Sequence, residues 1–222
     1  MKTSVKIDFV SDVACPWCAV GLASLERALE KVSPDIDAEL RFQPFELNPQ
    51  MGAEGQDVTE HLTQKYGSTP EQQSAARENI RQRGAAVGFE FSPVGRGRIW
   101  NTFDAHRLLH WAGLQSAALQ HALKLALLKA YHGAGRSMAD ASVLLDAVAE
   151  AGLDREEARA VLDDKRFTQE VREAEQYWQS MGITAVPSVV INDKWLVQGG
   201  QPPEYFEQAL RQAAGAAKEA QA

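Results

Sequence analysis

Residues 5–20 read VKIDFVSDVACPWCAV. Val5, Ile7 and Phe9 alternate with Lys6 and Asp8, the period of two that marks a half-buried strand. The period then changes, and Leu22, Leu25, Leu29 and Val32 fall on one stripe of a helix. The turn between the two holds the only two cysteines of the chain, Cys15 and Cys18, flanking Pro16 and Trp17. This spacing puts Cys15 at the helix N-terminus and Cys18 one turn deeper. Thiols three residues apart at a helix start share a face and can close a disulfide without large backbone motion. Unpaired amides and a partial charge of about +0.5 favour a thiolate at such a position, the species that attacks disulfides. Comparable sites lower a cysteine pKa from about 8.5 to roughly 3.5–7.5. Cys15 is therefore the expected nucleophile, and Cys18 the resolving thiol that attacks the mixed disulfide.

Outward from this stretch, Ser33-Pro34 breaks the helix. Ala38, Leu40 and Phe42 then alternate with Glu39, Arg41 and Gln43 in a second strand. A right-handed crossover makes the two strands parallel neighbours, with the cysteine helix packed on the sheet. From about residue 50 to 182 the pattern is helical and no strand is obvious. Thr69-Pro70-Glu71-Gln72 joins an N-cap, an N1 proline and a capping-box glutamine, and Gly88 closes the periodic run, giving a helix over roughly 70–87. Helices are also expected over 101–112, 115–132 and 140–151, stopped by Gly113, Gly133 and Gly152 in the left-handed region. Asp154 with Glu157 resembles another capping box, and Phe167, Val171, Ala174, Trp178 and Met181 form one apolar stripe. The Gly/Pro-rich stretch 92–97 reads as a loop within this region. Strand character returns at Ser188–Asn192 and, after a turn at Asp193-Lys194, at Trp195–Gln198. Pro202-Pro203-Glu204 opens a last helix with Phe206, Ala209 and Leu210 inward, and residues 214–222 are expected to fray. The order β, α, β, helices, β, β, α predicts an α/β protein. Its thioredoxin fold is formed by residues 1–50 and 183–222 and is split by a large all-helical insertion over 51–182.

Composition narrows the function classes. The 222 residues are 45% hydrophobic, enough for a sizeable core, with a formal net charge of −7 that argues against nonspecific phosphate binding, although Arg96 and Arg98 form a local basic patch. Nucleic acid is not an expected partner. No apolar run approaches the ~20 residues of a membrane span, and Met1–Val10 lacks the features of a signal peptide, so the expected location is the cytoplasm. A lone dithiol in a reducing compartment is catalytic or sensing in character. His106 and His110, four apart, could form half of a zinc site with the cysteines, but the CxxC beside a strand–helix unit reads as redox, and no metal is expected. No phosphate loop or Ser–His–Asp pattern is present.

Several segments together resemble the DsbA-like thioredoxin superfamily, and within it the cytosolic FrnE-type branch. They are Ser11-Asp12 through Cys18, Pro44-Phe45-Glu46-Leu47-Asn48-Pro49, Asn101-Thr102 with Ala105-His106-Arg107-Leu108, Val186-Pro187, and Gly199-Gly200-Gln201-Pro202. The likeness runs nearly end to end and implies a thiol-disulfide oxidoreductase or isomerase acting on protein or peptide thiols, with no bound cofactor and glutathione as a candidate redox partner. It also implies that Pro187 is a cis-proline facing the dithiol, presenting the Val186 backbone to substrate; without it, Pro187 reads as a proline opening a strand. The resemblance extends to kappa-type glutathione transferases and 2-hydroxychromene-2-carboxylate isomerases. Those enzymes look to use serine where this chain has Cys15, and they supply the alternative of a glutathione-dependent small-molecule enzyme. A dithiol that only senses oxidant is the noncatalytic alternative.

Pro16 and Trp17, between the thiols, can hold apolar substrate surface, with packing against the insertion as the bland reading of Trp17. His106 either lines the cleft or is a hydrogen-bonded semi-core residue. Asp12 and Glu46 could manage the resolving thiol's proton but read first as solvated loop charges. Trp100, Trp111, Trp178 and Trp195 fit core or interface packing.

Overall fold

The computed structural model describes residues 2–219. Strand β1 (Thr3–Ser11) runs into helix α1 (Pro16–Val32) and returns as β2 (Ile36–Pro44). β1 and β2 pair in parallel along their whole length, from Thr3↔Ile36 to Ser11↔Pro44. After the insertion, β5 (Ser188–Ile191) pairs antiparallel with β1, and β6 (Trp195–Gln198) pairs with β5. The resulting sheet has the order β2-β1-β5-β6, and α9 (Pro203–Glu219) packs beside α1. This is the expected thioredoxin fold, interrupted between β2 and β5.

One face of the sheet carries Val5, Ile7, Phe9, Phe42, Val189 and Ile191, all buried in a core shared with α1, α9 and the inserted helices. Phe9 meets Phe42 edge-on at 5.8 Å. Because side chains alternate along a strand, Val10 points to the other face, where a smaller cluster joins it to Phe45, Trp178 and Ile183.

The inserted segment contains α2 (Val58–Tyr66), α3 (Pro70–Val87), α4 (Phe103–Gln115), α5 (Ala117–Leu128), α6 (Ala141–Glu150), α7 (Arg155–Asp163) and α8 (Thr168–Ser180). It is not all helical. Gln56–Asp57 (β3) and Arg98–Ile99 (β4) form a two-residue antiparallel ribbon, too short to leave an alternating pattern in sequence. The Thr69–Gln72 capping box forms in full and Gly88 caps α3 at φ 87°. Gly113, by contrast, does not stop α4, which continues to Gln115. A Cβ at Gly113 would lie 2.7 Å from the Gln120 amide nitrogen, so this glycine admits a packed side chain rather than a left-handed turn. The helix expected over 115–132 is α5 followed by a π-helical turn, Lys129–Gly133. Phe167 precedes α8 in the left-handed region and Met181 follows it exposed, so the stripe is shorter than its sequence suggests. At the C-terminus, α9 continues through Glu219 with Ala213 and Ala214 buried, so 214–219 do not fray; 220–222 lie outside the described residues.

Candidate active site

The site begins where β1 stops. The Cys15 amide donates to the Asp12 carbonyl at 3.2 Å, closing a turn, and Cys15 caps α1 with φ −87° and ψ 115°. Pro16 occupies the first helical turn, where its missing amide costs nothing. The Cys18 amide then bonds the Cys15 carbonyl at 3.0 Å. Both thiols are free, Cys15 is 5% exposed and Cys18 is fully enclosed. The Cys18 thiol beside it holds Cys15 below the ordinary thiol range; burial opposes this, and the Cys18 and Trp17 amides assist. Burial, followed by the neighbouring Cys15 sulfur, pushes Cys18 well above that range. The sequence reading attributes the Cys15 shift to helix-end amides, but in the structure they rank behind the second thiol.

Opposite the thiols, the Val186–Pro187 peptide is cis. Cys15 Sγ lies 3.5 Å from the Val186 carbonyl oxygen. Two glycines admit this approach. A Cβ at Gly21 would fall 3.0 Å from Pro187 Cγ, and one at Gly200 would fall 3.1 Å from the Trp17 ring. Trp17 is half-buried under the Arg83 guanidinium, 5.8 Å from the ring, and Arg83 also donates to the Gly200 carbonyl at 2.8 Å. Packing against the insertion thus accounts for much of Trp17. A cavity of about 630 Å³ opens beside Pro16, walled by Leu62, Ile80, Phe91, Val94, Arg77 and Arg96.

Asp12 is not a solvated loop charge. It is 1% exposed and accepts bonds from the Ala14 amide (3.0 Å), the Leu47 amide (2.7 Å) and the Thr102 hydroxyl (2.8 Å). Burial pushes its pKa up, yet the facing His106 ring and the two amides hold it below the usual carboxylate value. His106 is buried behind Asp12, with Nε2 3.5 Å from the carboxylate, and does not face the cavity beside Pro16. Glu46 is also buried rather than solvated: it pairs with Arg172 of α8, which bridges to Glu175 at 2.8 Å and stacks 3.8 Å from the Phe103 ring centroid. His110 packs at a tilt against Phe167, with ring centroids 5.2 Å apart. Among the described residues, no three His, Cys, Asp or Glu side chains gather as a metal site requires.

Several further residues hold the site from the insertion. In the π-helical turn, His132 is buried with Nε2 2.9 Å from the Val13 carbonyl, so that nitrogen carries the proton and donates. Burial pushes its pKa down to about 3. Arg96 donates to the Ala14 carbonyl and lies over the Tyr131 ring. The two carbonyls immediately before Cys15 are therefore held from the insertion. Lys124 of α5 is wholly buried, with Nζ 5.8 Å from the Phe42 ring centroid. Its one sequence signal is a lysine on the same helix face as Gln120, Leu123 and Leu127.

The arrangement can therefore attack a disulfide at Cys15 and resolve it from Cys18. A crystal structure described as a probable DsbA oxidoreductase from Streptomyces coelicolor superposes with a TM-score of 0.88 and 38% identity, covering 95% of this chain and 90% of that one. More distant structures share the fold. They are a 2-hydroxychromene-2-carboxylate isomerase (TM-score 0.65, 15% identity, 93% and 95% covered) and the cytosolic disulfide reductase DsbM from Pseudomonas aeruginosa, solved with glutathione (0.63, 17%, 93% and 98%). The family profile of the DSBA-like thioredoxin domain matches residues 6–211, from β1 into α9. The chain belongs to the DsbA-like thiol-disulfide oxidoreductase family.

Proposed function

We propose that the protein exchanges disulfides with protein or peptide thiols through a mixed disulfide on Cys15. The observation that carries this reading is the placement of Cys15 Sγ against the Val186 carbonyl beside cis-Pro187, with Cys18 enclosed one turn behind. The Cys15 thiolate attacks a substrate disulfide, forming one sulfur–sulfur bond and expelling one substrate thiolate. Cys18 then attacks Cys15, releasing the second substrate thiolate and leaving the enzyme disulfide. Run backwards, the same steps oxidise a dithiol. Val186 and Pro187 hold the substrate backbone, and Pro16 and Trp17 meet its apolar surface. The dithiol carries the electrons, so no cofactor is required, and glutathione serves as the small redox partner. No helix among the described residues is long and apolar enough to cross a membrane, and we assign the protein to the cytoplasm, where such a dithiol turns over.

A second reading, a glutathione-dependent small-molecule enzyme, is favoured by the cavity beside Pro16, large enough for a tripeptide thiol and carrying the cationic Arg77. Trapping separates the two. Cys18→Ala removes the resolving attack, and in oxidatively stressed cells it is expected to accumulate protein adducts on Cys15 that vanish on reduction. A glutathione adduct alone, or no adduct while native Cys15 remains alkylatable, would overturn the protein-substrate reading in favour of the small-molecule one.

A further inference from the structure

The cavity beside Pro16 is built on one face of α3. Gln73, Arg77, Ile80 and Gly84 recur at intervals of three and four and so share that face. Near its start the buried Gln73 donates to the Thr59 and Ser68 carbonyls at 3.2 Å and holds α2 against α3. Near its end a Cβ on Gly84 would fall 2.5 Å from Phe91 Cε2, so this glycine admits the ring that closes the wall. Leu62, Ile80 and Phe91 make the walls apolar, and Val94, which also lines the space, is 85% exposed. Of the charged side chains around it, Asp57 accepts from the Thr59 and Glu60 amides, Glu78 and Arg81 pair at 2.8 Å, and Arg96 donates to the Ala14 carbonyl. Burial keeps His132 neutral. Arg77 is left without an ion pair or hydrogen bond among the described residues. Its side chain reaches across to the facing 92–97 loop, where a Cβ at Gly95 would fall 3.9 Å from Arg77 Cδ and 4.0 Å from Nε. A guanidinium without a counter-charge, set over apolar walls, keeps most of its field.

We propose that Arg77 determines specificity in disulfide exchange, and that the cavity takes a peptide segment carrying an acidic residue next to an apolar one, close to the substrate cysteine. This rests on the reading of Cys15 as a nucleophile towards peptide thiols. The apolar side chain lies against Leu62, Ile80 and Phe91 and covers Val94, while the carboxylate accepts from the Arg77 guanidinium. The cavity adjoins the thiols, since Pro16 lines it and since Arg96 and His132, which also line it, bond the Ala14 and Val13 carbonyls. The helix sets the spacing. Arg83 stands over Trp17, and Arg77 lies about 9 Å back along α3 at about 1.5 Å per residue. An extended peptide covers that distance in about three residues at about 3.3 Å each, which puts the acidic residue about three positions from the substrate cysteine.

The test uses the reduced full-length chain and the symmetrical disulfides of a short peptide. The peptide has a central cysteine, phenylalanine two positions away and a variable residue three positions away on either side. Oxidation of the chain is followed by alkylation and mass measurement. At low salt the glutamate peptide is expected to react about tenfold faster than the lysine peptide, with glutamine between, and about 1 M salt is expected to shrink the difference. The net charge of −7 acts in the opposite direction, so an acidic preference has to come from a local cation. Arg77→Gln is expected to bring the glutamate-to-lysine ratio to one or below, and Arg77→Glu to favour lysine. Serine in place of phenylalanine is expected to slow the glutamate peptide about tenfold in the wild type. Equal rates for glutamate and lysine in the wild type, a preference that Arg77→Gln keeps, or a serine peptide as fast as its phenylalanine parent overturns the proposal. If no peptide oxidises the wild type, the exchange reading itself falls, and this one with it. The salt and peptide comparisons need no variant, so the proposal stands or falls on the wild type even if a substitution disturbs the fold.

Discussion

Around the dithiol, the thioredoxin-like half and the inserted half contribute different chemistry. β1, α1 and the segment before β5 supply the two sulfurs, the Val186 carbonyl and the chain trace itself. The insertion supplies side chains: Thr102 on Asp12, His132 on the Val13 carbonyl, Arg96 on the Ala14 carbonyl, and Arg83 over Trp17. Each of the four consecutive residues Asp12 to Cys15 thus contacts a group that lies 80 or more positions later in the chain. The local strand–turn–helix brings the thiols together, but the insertion fixes the loop that aims them. A buried polar group is useful for such aiming because leaving it unpaired is expensive, so it has one stable arrangement.

The largest effect that could break this comparison is at Asp12. Asp12→Ala strands two amides and the Thr102 hydroxyl in the interior and is expected to destabilise the fold by about 3–5 kcal/mol in urea unfolding. A loss under about 1 kcal/mol would mean that the insertion does not fix the loop. His132 sharpens the point through pH. Its native pKa of about 3 lies below its unfolded value of about 6.5, so between these pH values only the unfolded chain takes up the proton. The stability this residue contributes is complete above about pH 6.5 and falls by about 1.4 kcal/mol per unit towards pH 3. His132→Gln should flatten that limb of stability against pH, and parallel wild-type and variant limbs would show that the imidazole is not enclosed. The smallest effect is at the exposed start of α3. Thr69→Ala should cost about 1 kcal/mol by removing the capping box while leaving the exchange rate unchanged. A slower exchange rate would extend the aiming function to that distant turn.

The same contrast decides what could be read from the sequence. The alternation in β1 and β2, the cysteine turn, the capping box at Thr69 and the hairpin of β5 and β6 are local patterns, and each appears in the structure where it is expected. The β3–β4 ribbon escapes because two residues are too few to show a period. Gly113 misleads because a glycine that makes room for Gln120 looks the same in sequence as one that caps a helix. Asp12 and Glu46 look like loop charges because their neighbours in sequence are turn residues. Their burial depends on Thr102, His106 and Arg172, partners that no spacing rule connects to them. For the same reason His132 and Lys124 are missed, and Arg96 reads only as part of a basic patch.

The central position of β1 has a consequence for synthesis. Its antiparallel neighbour β5 follows it by about 180 residues. At roughly 5–20 residues per second on the ribosome, β1 waits on the order of ten to thirty-five seconds for that partner. Through that interval the nascent βαβ unit presents an open strand edge, and Cys15 has neither Val186 nor Pro187 over it. The half-made chain therefore carries its reactive thiols before the structure that encloses them, and the inserted helices emerge ahead of that enclosing segment.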